Sequence, residues 1–497
     1  MTATLKRLPA AAWVCSLVAL LNATAWSVIV PLFQVPDEPA HIAYAQYLAE
    51  SGKPPTGRSD RPPFSEEERV LVNALRWKQV SRRADNRLPG TAAAHRLLER
   101  TIDSPADRLG DGGYTSITNN PPLYYGLAAA AYRVSPSTDL PDRIHLMRLL
   151  SALLAAITTL FVFLFLRELL PATPWAWTIG ALAVALQPLF GFISGGVSSD
   201  NLLYTAAAGV FFCLAYSFRH GLTPNRGVLL GALVSAGLLA KINMLGLLPG
   251  VALGLLLLVR RASPQGRRDA IRGALGAAAV VAAVAIAYVA LNSPVWDRGT
   301  FGGAGHSLGS GEGIYGRPDV TETPSSGLSG ALNYGWQFYL PRLPFMDSQF
   351  LRYPLREVWF DGFIGNFGWL DYGFANWVYD LALAIVLVLV GLAARELIAR
   401  RSLVRDRLDE LITYSALTVG LVVLVNGNGY TARIDGAGGF EQARYLLPLL
   451  ALYGAIVALA ARGAGRRWGP ALGVLIVCIA IAHTAVALLL TLTRYYG

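Results

Sequence analysis

The feature that most constrains this chain is how often an apolar run long enough to cross a bilayer recurs. Such runs fall at about 10–33, 146–166, 175–194, 202–218, 226–240, 242–259, 273–291, 376–394, 411–426, 444–461 and 468–492. In hydrocarbon a backbone must satisfy its own N–H and C=O groups, so runs of this kind fold as helices. The expectation is an all-α polytopic membrane protein with about eleven transmembrane helices and no internal repeat of fixed period. Composition agrees. Charged residues make up 15% of the chain and mean hydropathy is +0.43, whereas soluble domains are about 25% charged.

The net charge of +10 does not indicate a nucleic-acid partner. That reading needs the charges on one soluble face, and here they lie mostly in short loops between apolar runs, the pattern of membrane orientation. Cys15, Cys213 and Cys478 fall inside apolar runs without CxxC spacing, so neither a disulfide framework nor a cysteine metal site is implied. Lys6 and Arg7 precede the first run, and Ala23-Thr24-Ala25 resembles a cleavage site. The run nevertheless continues to about Phe33, long enough to span. An uncleaved first helix with a cytoplasmic N-terminus is expected.

The stretch from Pro121-Pro122-Leu123-Tyr124-Tyr125 to Tyr132 is apolar but only about a dozen residues long, which suits an interfacial or re-entrant helix. If it does not cross, Arg167, Arg219, Arg226, Arg260, Arg261, the Arg395–Arg407 group, Arg462, Arg466 and Arg467 all fall with Lys6 and Arg7 on the cytoplasmic side. If it crosses, all those arginines lie outside, against the positive-inside rule. The non-crossing topology leaves two large outer loops, at about 34–145 and 292–375, with interfacial helices in them. In the first, Ser65 and Glu68 form a capping box before the apolar stripe Val70, Leu71, Ala74 and Leu75, flanked by Arg69, Arg76, Lys78, Arg82 and Arg83. This helix either lies on a membrane surface or packs as a small soluble helix within the loop. The second loop opens with a Gly/Ser-rich piece, 302–330, read as flexible, and ends in an aromatic, more ordered part around 360–377.

This topology gathers the unusual polar residues on the outer side. Val35-Pro36-Asp37-Glu38-Pro39-Ala40-His41 closes the first span, and one helical turn would place Asp37, Glu38 and His41 together. Carboxylates this near hydrocarbon are costly unless they are paired or perform a task; alternatively they mark a loop start and cap a helix. Asn119 and Asn120 precede the Pro-Pro, and Ser198 to Asn201 join the third and fourth spans. Lys241 interrupts an apolar stretch of about 35 residues. It faces protein or an anionic ligand, or it snorkels and ends the helix. Asp200 lines the site or caps the fourth span. Arg444 offers a planar fork for phosphate or pairs with Glu441. Asp361, Asn366, Trp369 and Asp371 lie in the ordered part of the second loop, and Glu441, Gln442, Arg444 and Tyr445 open the tenth span. His483 reads as a packing residue and Asp380 as a membrane-interface residue.

These residues, in this order, resemble the GT-C superfamily of membrane glycosyltransferases, in a group of uncharacterised bacterial predicted membrane proteins. The resemblance rests on the acidic pair Asp37-Glu38 after the first span, Pro121-Pro122-Leu123-Tyr124-Tyr125, and Ser198-Ser199-Asp200. Gly368-Trp369-Leu370-Asp371 and Gln442-Ala443-Arg444-Tyr445-Leu446-Leu447-Pro448 resemble the group's recurring motifs. It covers about 10–460 and implies a catalytic module over 1–461, followed by a C-terminal transmembrane helix and tail over 462–497. The enzymes it resembles take a sugar from a polyprenyl-phosphate carrier on the non-cytoplasmic face, which implies transfer to a cell-envelope glycan or lipid at the outer face of a bacterial cytoplasmic membrane. The base falls on Asp37, with Glu38 second, and direct displacement inverts the anomeric centre. Lys241 and Arg444 would balance the leaving phosphate; His41, Asn120, Tyr124, Asp200, Asp371 and Tyr445 complete the expected substrate site. No cofactor is required, although Asp37, Glu38 and His41 suit a divalent cation, Mg²⁺ or Mn²⁺. Two alternatives stay open: a transporter or flippase of lipid-linked sugars, which would place polar residues at the midplane, and a polysaccharide polymerase or ligase using a lipid diphosphate donor.

Overall fold

A computed structural model describes residues 8–56, 62–88, 117–299, 326–350, 353–435 and 441–497, together with Arg96 and Glu99. Most of the Gly/Ser-rich piece expected to be flexible, residues 300–325, lies outside the described residues. The apolar runs fold as helices joined at short polar breaks. In chain order these are α1 (Ala10–Ile29), α2 (Glu38–Ser51), α3 (Glu66–Ala74), α4 (Trp77–Val80), α5 (Leu123–Val134), α6 (Leu140–Leu169), α7 (Pro174–Ala185), α8 (Pro188–Ser194), α9 (Asp200–His220) and α10 (Pro224–Leu238). After them come α11 (Leu248–Arg261), α12 (Arg267–Asn292), α13 (Leu328–Tyr339), α14 (Gly362–Gly365), α15 (Asn376–Ala399), α16 (Arg401–Asp406), α17 (Leu408–Ile434), α18 (Leu450–Gly463) and α19 (Gly465–Tyr496).

Among the described residues, nine helices are long and apolar enough to cross a membrane, or ten if the bent pair α7–α8 counts as one span. The expected count of about eleven exceeds this because the run at 226–240 is α10, only 15 residues long. At 1.5 Å per residue it reaches about 22 Å, short of a hydrocarbon core of about 30 Å. The 58° bend between α7 and α8 falls at Pro188. Proline cannot donate to the preceding turn and restricts the residue before it, and the Gln187 side chain accepts the Phe190 N–H in place of a backbone partner.

The bundle is built on α6, which packs against α1 and α9, with α10 against α12 and α15 against α18. α9 is enclosed for most of its length. α12 and α15 instead leave Leu275, Ile286, Leu387 and Val388 more than half exposed. A helix apolar on all sides is at home in lipid, not water.

One end of the bundle carries the longer connections. The short apolar stretch before residue 135 is the twelve-residue α5, as its length implies, and it packs beside α2 and α6. In α3 the Ser65 hydroxyl accepts the Glu68 N–H at 3.1 Å, while neither Glu68 carboxyl oxygen has a hydrogen-bond partner, so only half of the capping box forms. Leu71, Val72 and Ala74 are buried in protein, so this side of the helix packs within the connection. The C-terminal turn of α19 fastens the first connection, its Arg494 donating to the carbonyls of Val80 and Arg83 at 2.9 Å each. In the second, β1 (Asn366–Phe367) and β2 (Tyr372–Gly373) pair antiparallel around Gly368-Trp369-Leu370-Asp371.

Candidate functional site

The site begins where α1 stops. Between Ile29 and α2 the chain reverses through two left-handed residues, Phe33 (φ 69°) and Asp37 (φ 64°). Aspartate tolerates that region; a bulky phenylalanine rarely enters it unless its surroundings force it. The forcing group is Glu38. Its carboxylate accepts the Phe33 N–H at 2.9 Å and the Val197 N–H at 3.0 Å, and it receives Arg148 through Nε at 2.8 Å and Nη2 at 2.7 Å. Arg148 spends its other N–H groups on the carbonyls of Ser27, Val30 and Pro31, at and just past the end of α1. Both side chains are fully buried. Val197 comes this close because a Cβ at Gly196 would lie 2.6 Å from the Val35 side chain. Glu38 is thus saturated with donors.

Its neighbour Asp37 points into a different set. Arg444 Nη2 donates to Asp37 Oδ2 at 2.5 Å, while Nη1 lies 3.7 Å from Asp200 Oδ2. The other Asp200 oxygen accepts from Lys241 Nζ at 2.7 Å. Four charges therefore alternate in a row: Asp37, Arg444, Asp200, Lys241. The inner two are buried, at 2% and 1% side-chain exposure, and the outer two reach the surface, at 23% for Asp37 and 13% for Lys241. The Tyr445 ring lies beside both cations, 5.2 Å from the Arg444 guanidinium and 5.3 Å from Lys241 Nζ. The two cations arrive by the same local device. Lys241 and Gln442 are extended residues, and each opens a 3-10 turn, Ile242–Leu247 and Ala443–Leu449, that runs into a spanning helix.

A second layer backs the row. His41 Nδ1 lies 2.8 Å from the Tyr125 hydroxyl, which also receives Asn120 Nδ2 at 3.0 Å, and Tyr44 stacks on Tyr125 with ring centroids 3.8 Å apart. Burial pushes the His41 imidazole down to about 3, with Asp37 the strongest pull in the other direction. Burial also raises the Tyr125 hydroxyl well above its usual value. The imidazole is therefore neutral, with Nδ1 hydrogen-bonded to the Tyr125 hydroxyl.

The structure thus brings Asp37, Asp200, Lys241, Arg444 and Tyr445 together, with His41 and Asn120 behind them. It separates the rest. The buried Tyr124 hydroxyl accepts the Ser198 N–H at 2.9 Å and bonds Ser151 at 2.8 Å, so it braces the turn before Asp200. Asp371 is held by Arg494 at 2.6 Å and by the Trp369 N–H at 2.8 Å, tying the second connection to α19. The three groups expected to suit a divalent cation do not meet. Glu38 is filled by Arg148 and two backbone amides, His41 faces Tyr125, and no group of three such side chains could hold a metal ion among the described residues. Arg444 pairs with the two aspartates; Glu441 instead takes Arg433 at 3.5 Å and Tyr334. Lys241 does not snorkel, and the Asp200 side chain caps nothing.

Three contributors went unnoticed in the sequence: Arg148, Tyr125 and Arg494. Arg148 had a readable signal, a lone arginine just inside the apolar run that begins near 146. Tyr125 sat in a quoted motif, but its role depends on α2 and α5 packing together. Nothing local marks Arg494 as the partner of Asp371.

Fold and site define an all-α, multi-pass membrane protein with a charged cluster at one end of its bundle. A family model described as Predicted membrane protein (DUF2142) matches residues 20–453. The chain belongs to that family. Comparison with curated proteins and with solved structures returns no significant match.

Proposed function

We propose that this protein is an inverting glycosyltransferase. It takes a sugar from a polyprenyl-phosphate carrier and passes it to a cell-envelope glycan or lipid at the outer face of a bacterial cytoplasmic membrane. The observation that carries the reading is a row, at one end of the bundle, in which a partly exposed carboxylate, Asp37, meets Arg444 and a second cation, Lys241, is held through Asp200. Transfer needs both. Asp37 takes the proton of the acceptor hydroxyl as its oxygen bonds to the anomeric carbon. The bond from that carbon to the phosphate oxygen breaks, and the phosphate leaves with the electron pair, its growing charge met by Arg444 and Lys241. The Tyr445 ring lies within cation–π range of both. Glu38 faces Arg148 and His41 faces Tyr125, so these two do not join Asp37 in a cation site.

The arginines of the opposite helix ends, such as Arg260, Arg267, Arg400 and Arg466, support placing the site on the non-cytoplasmic side by the positive-inside rule. A flippase would instead be expected to line a path through the midplane. The test is transfer of radiolabelled sugar by purified protein in lipid, from polyprenyl monophosphate and diphosphate donors, with wild type set against Asp37→Asn. Transfer from monophosphate donors that vanishes in the variant is the expected result. Unchanged transfer in the variant removes Asp37 as base. Movement of lipid-linked sugar between leaflets without transfer removes the enzyme reading.

A further inference from the structure

We propose that Arg444 is an exchange residue: it releases the Asp37 carboxylate to take the donor's phosphate, so that donor binding is what frees the base. This rests on the glycosyltransferase reading and adds an order of events to it. The argument starts from charge. Within the row, Asp37 and Asp200 carry two negative charges and Arg444 and Lys241 two positive ones, so a phosphate arriving there finds each of these cations already facing a carboxylate. One carboxylate must give way.

Geometry indicates which. Asp200 is buried and holds Lys241 at 2.7 Å, with the Arg444 guanidinium also within 3.7 Å. Asp37 is the carboxylate that reaches the surface. Arg444 is fixed elsewhere by its own carbonyl, which accepts the Tyr204 hydroxyl at 3.0 Å, and by Nη1, which donates to the Pro36 carbonyl at 3.4 Å. Its fork therefore has only a short distance to turn, from Asp37 toward a ligand between itself and Lys241. A carboxylate paired this closely to arginine is a poor base, because the pair favours the charged form. Released, it becomes a better one.

The charge of the reaction follows the same path. The carrier phosphate has one negative charge while it is bonded to the sugar and two once it leaves. Asp37 loses its charge when it takes the acceptor's proton. Total charge in the site is constant through the step, and Arg444 stays beside the group that holds the charge. The order that results is donor first, acceptor activation second.

The probe is polyprenyl phosphate alone, titrated into the full-length protein in lipid nanodiscs. The proteins compared are wild type, Asp37→Asn, Arg444→Gln and the double variant, with sugar transfer by wild type measured on the same preparation. Exchange predicts that Asp37→Asn binds the carrier about tenfold more tightly than wild type, about 1.4 kcal/mol, because Arg444 no longer has to be taken from a carboxylate. In the Arg444→Gln background the same substitution should change affinity by less than about twofold. Simple repulsion between Asp37 and phosphate would survive without Arg444, so a gain retained there overturns the exchange. So does equal or weaker binding in Asp37→Asn. If Arg444→Gln does not fold, Arg444→Lys keeps the charge without the fork, and a gain as large as that in the Arg444 protein overturns the exchange equally. Wild type that transfers sugar without the affinity pattern leaves the enzyme reading standing and removes the exchange alone. Wild type that neither binds the carrier nor transfers sugar removes both.

Discussion

Asp37 and Glu38 are consecutive, each meets an arginine from a distant helix, and the two pairs are built for different ends. The Glu38–Arg148 pair is fully buried, bidentate and surrounded by backbone partners on every side. The Asp37–Arg444 pair makes one short contact, shares its arginine with a second carboxylate and opens to the surface at both ends of the row. Saturation turns the first into a clasp that locks the end of α1 to α6 and to the turn at Val197. The second, which reaches the surface, is the pair to which the proposed transfer assigns the chemistry.

The sharpest way to break this comparison is Arg148→Met. Removing one partner leaves Glu38 buried and uncompensated, a loss of about 3–5 kcal/mol. Melting of the detergent-solubilised protein should fall steeply, and Arg148→Met with Glu38→Gln should recover part of the loss. Asp37→Asn should do the opposite. It should leave melting nearly unchanged and cut transfer by about a hundredfold or more, the usual scale of a missing general base. If the two variants lost stability equally, clasp and site would not be distinct.

The layer behind the row gives a pH test, next in size. Unfolded, His41 gains a proton as pH falls through about 6.5; folded, it stays neutral until about 3. The unfolded state therefore binds more protons in this window, and stability is lost as pH drops from 6.5 toward 3. At pH 5 the His41 share is about 2 kcal/mol, at 1.36 kcal/mol per pH unit. His41→Gln should flatten the fall in melting temperature between pH 7 and pH 5 relative to wild type. An unchanged slope would place the acid sensitivity in another group.

How far the sequence reaches differs between fold and site. Apolar runs announce spanning helices because the bilayer demands them, and the runs are legible one at a time. α10, too short, the α7–α8 bend, set by Pro188, and the early end of α1 at Ile29 depart from that reading, and each departure is local. At the site, charge rarity at helix ends singled out Asp37, Asp200, Lys241 and Arg444, since a charge beside hydrocarbon needs a reason. Partnership was not legible. Asp37 and Arg444 lie 407 residues apart, and which of two adjacent acids would meet Arg148 depends on the left-handed turn at Asp37. A side chain's identity is written locally and its partner is not; hence Glu38, Tyr124 and Asp371 read as site residues until packing assigned them to bracing.

The smallest effect probes the join between clasp and site. Trp369 Nε1 donates to the Phe33 carbonyl at 3.1 Å, and its ring packs on Trp77 with centroids 5.4 Å apart. Phe33 lies in the strained turn that Glu38 holds through the N–H of the same residue. The clasp therefore steadies the peptide that enters Phe33 and the second connection the peptide that leaves it, four residues before Asp37. Trp369→Phe keeps an aromatic ring and removes the indole N–H, a change worth about 1 kcal/mol. If the turn is held mainly by Glu38, melting should move by only a few degrees, and transfer should fall several-fold through looser placement of Asp37. If Trp369→Phe abolished transfer while Glu38 and Arg148 stayed intact, the turn would depend on the second connection more than on the clasp. The boundary between structural and working charge would then have to be drawn around Trp369 as well.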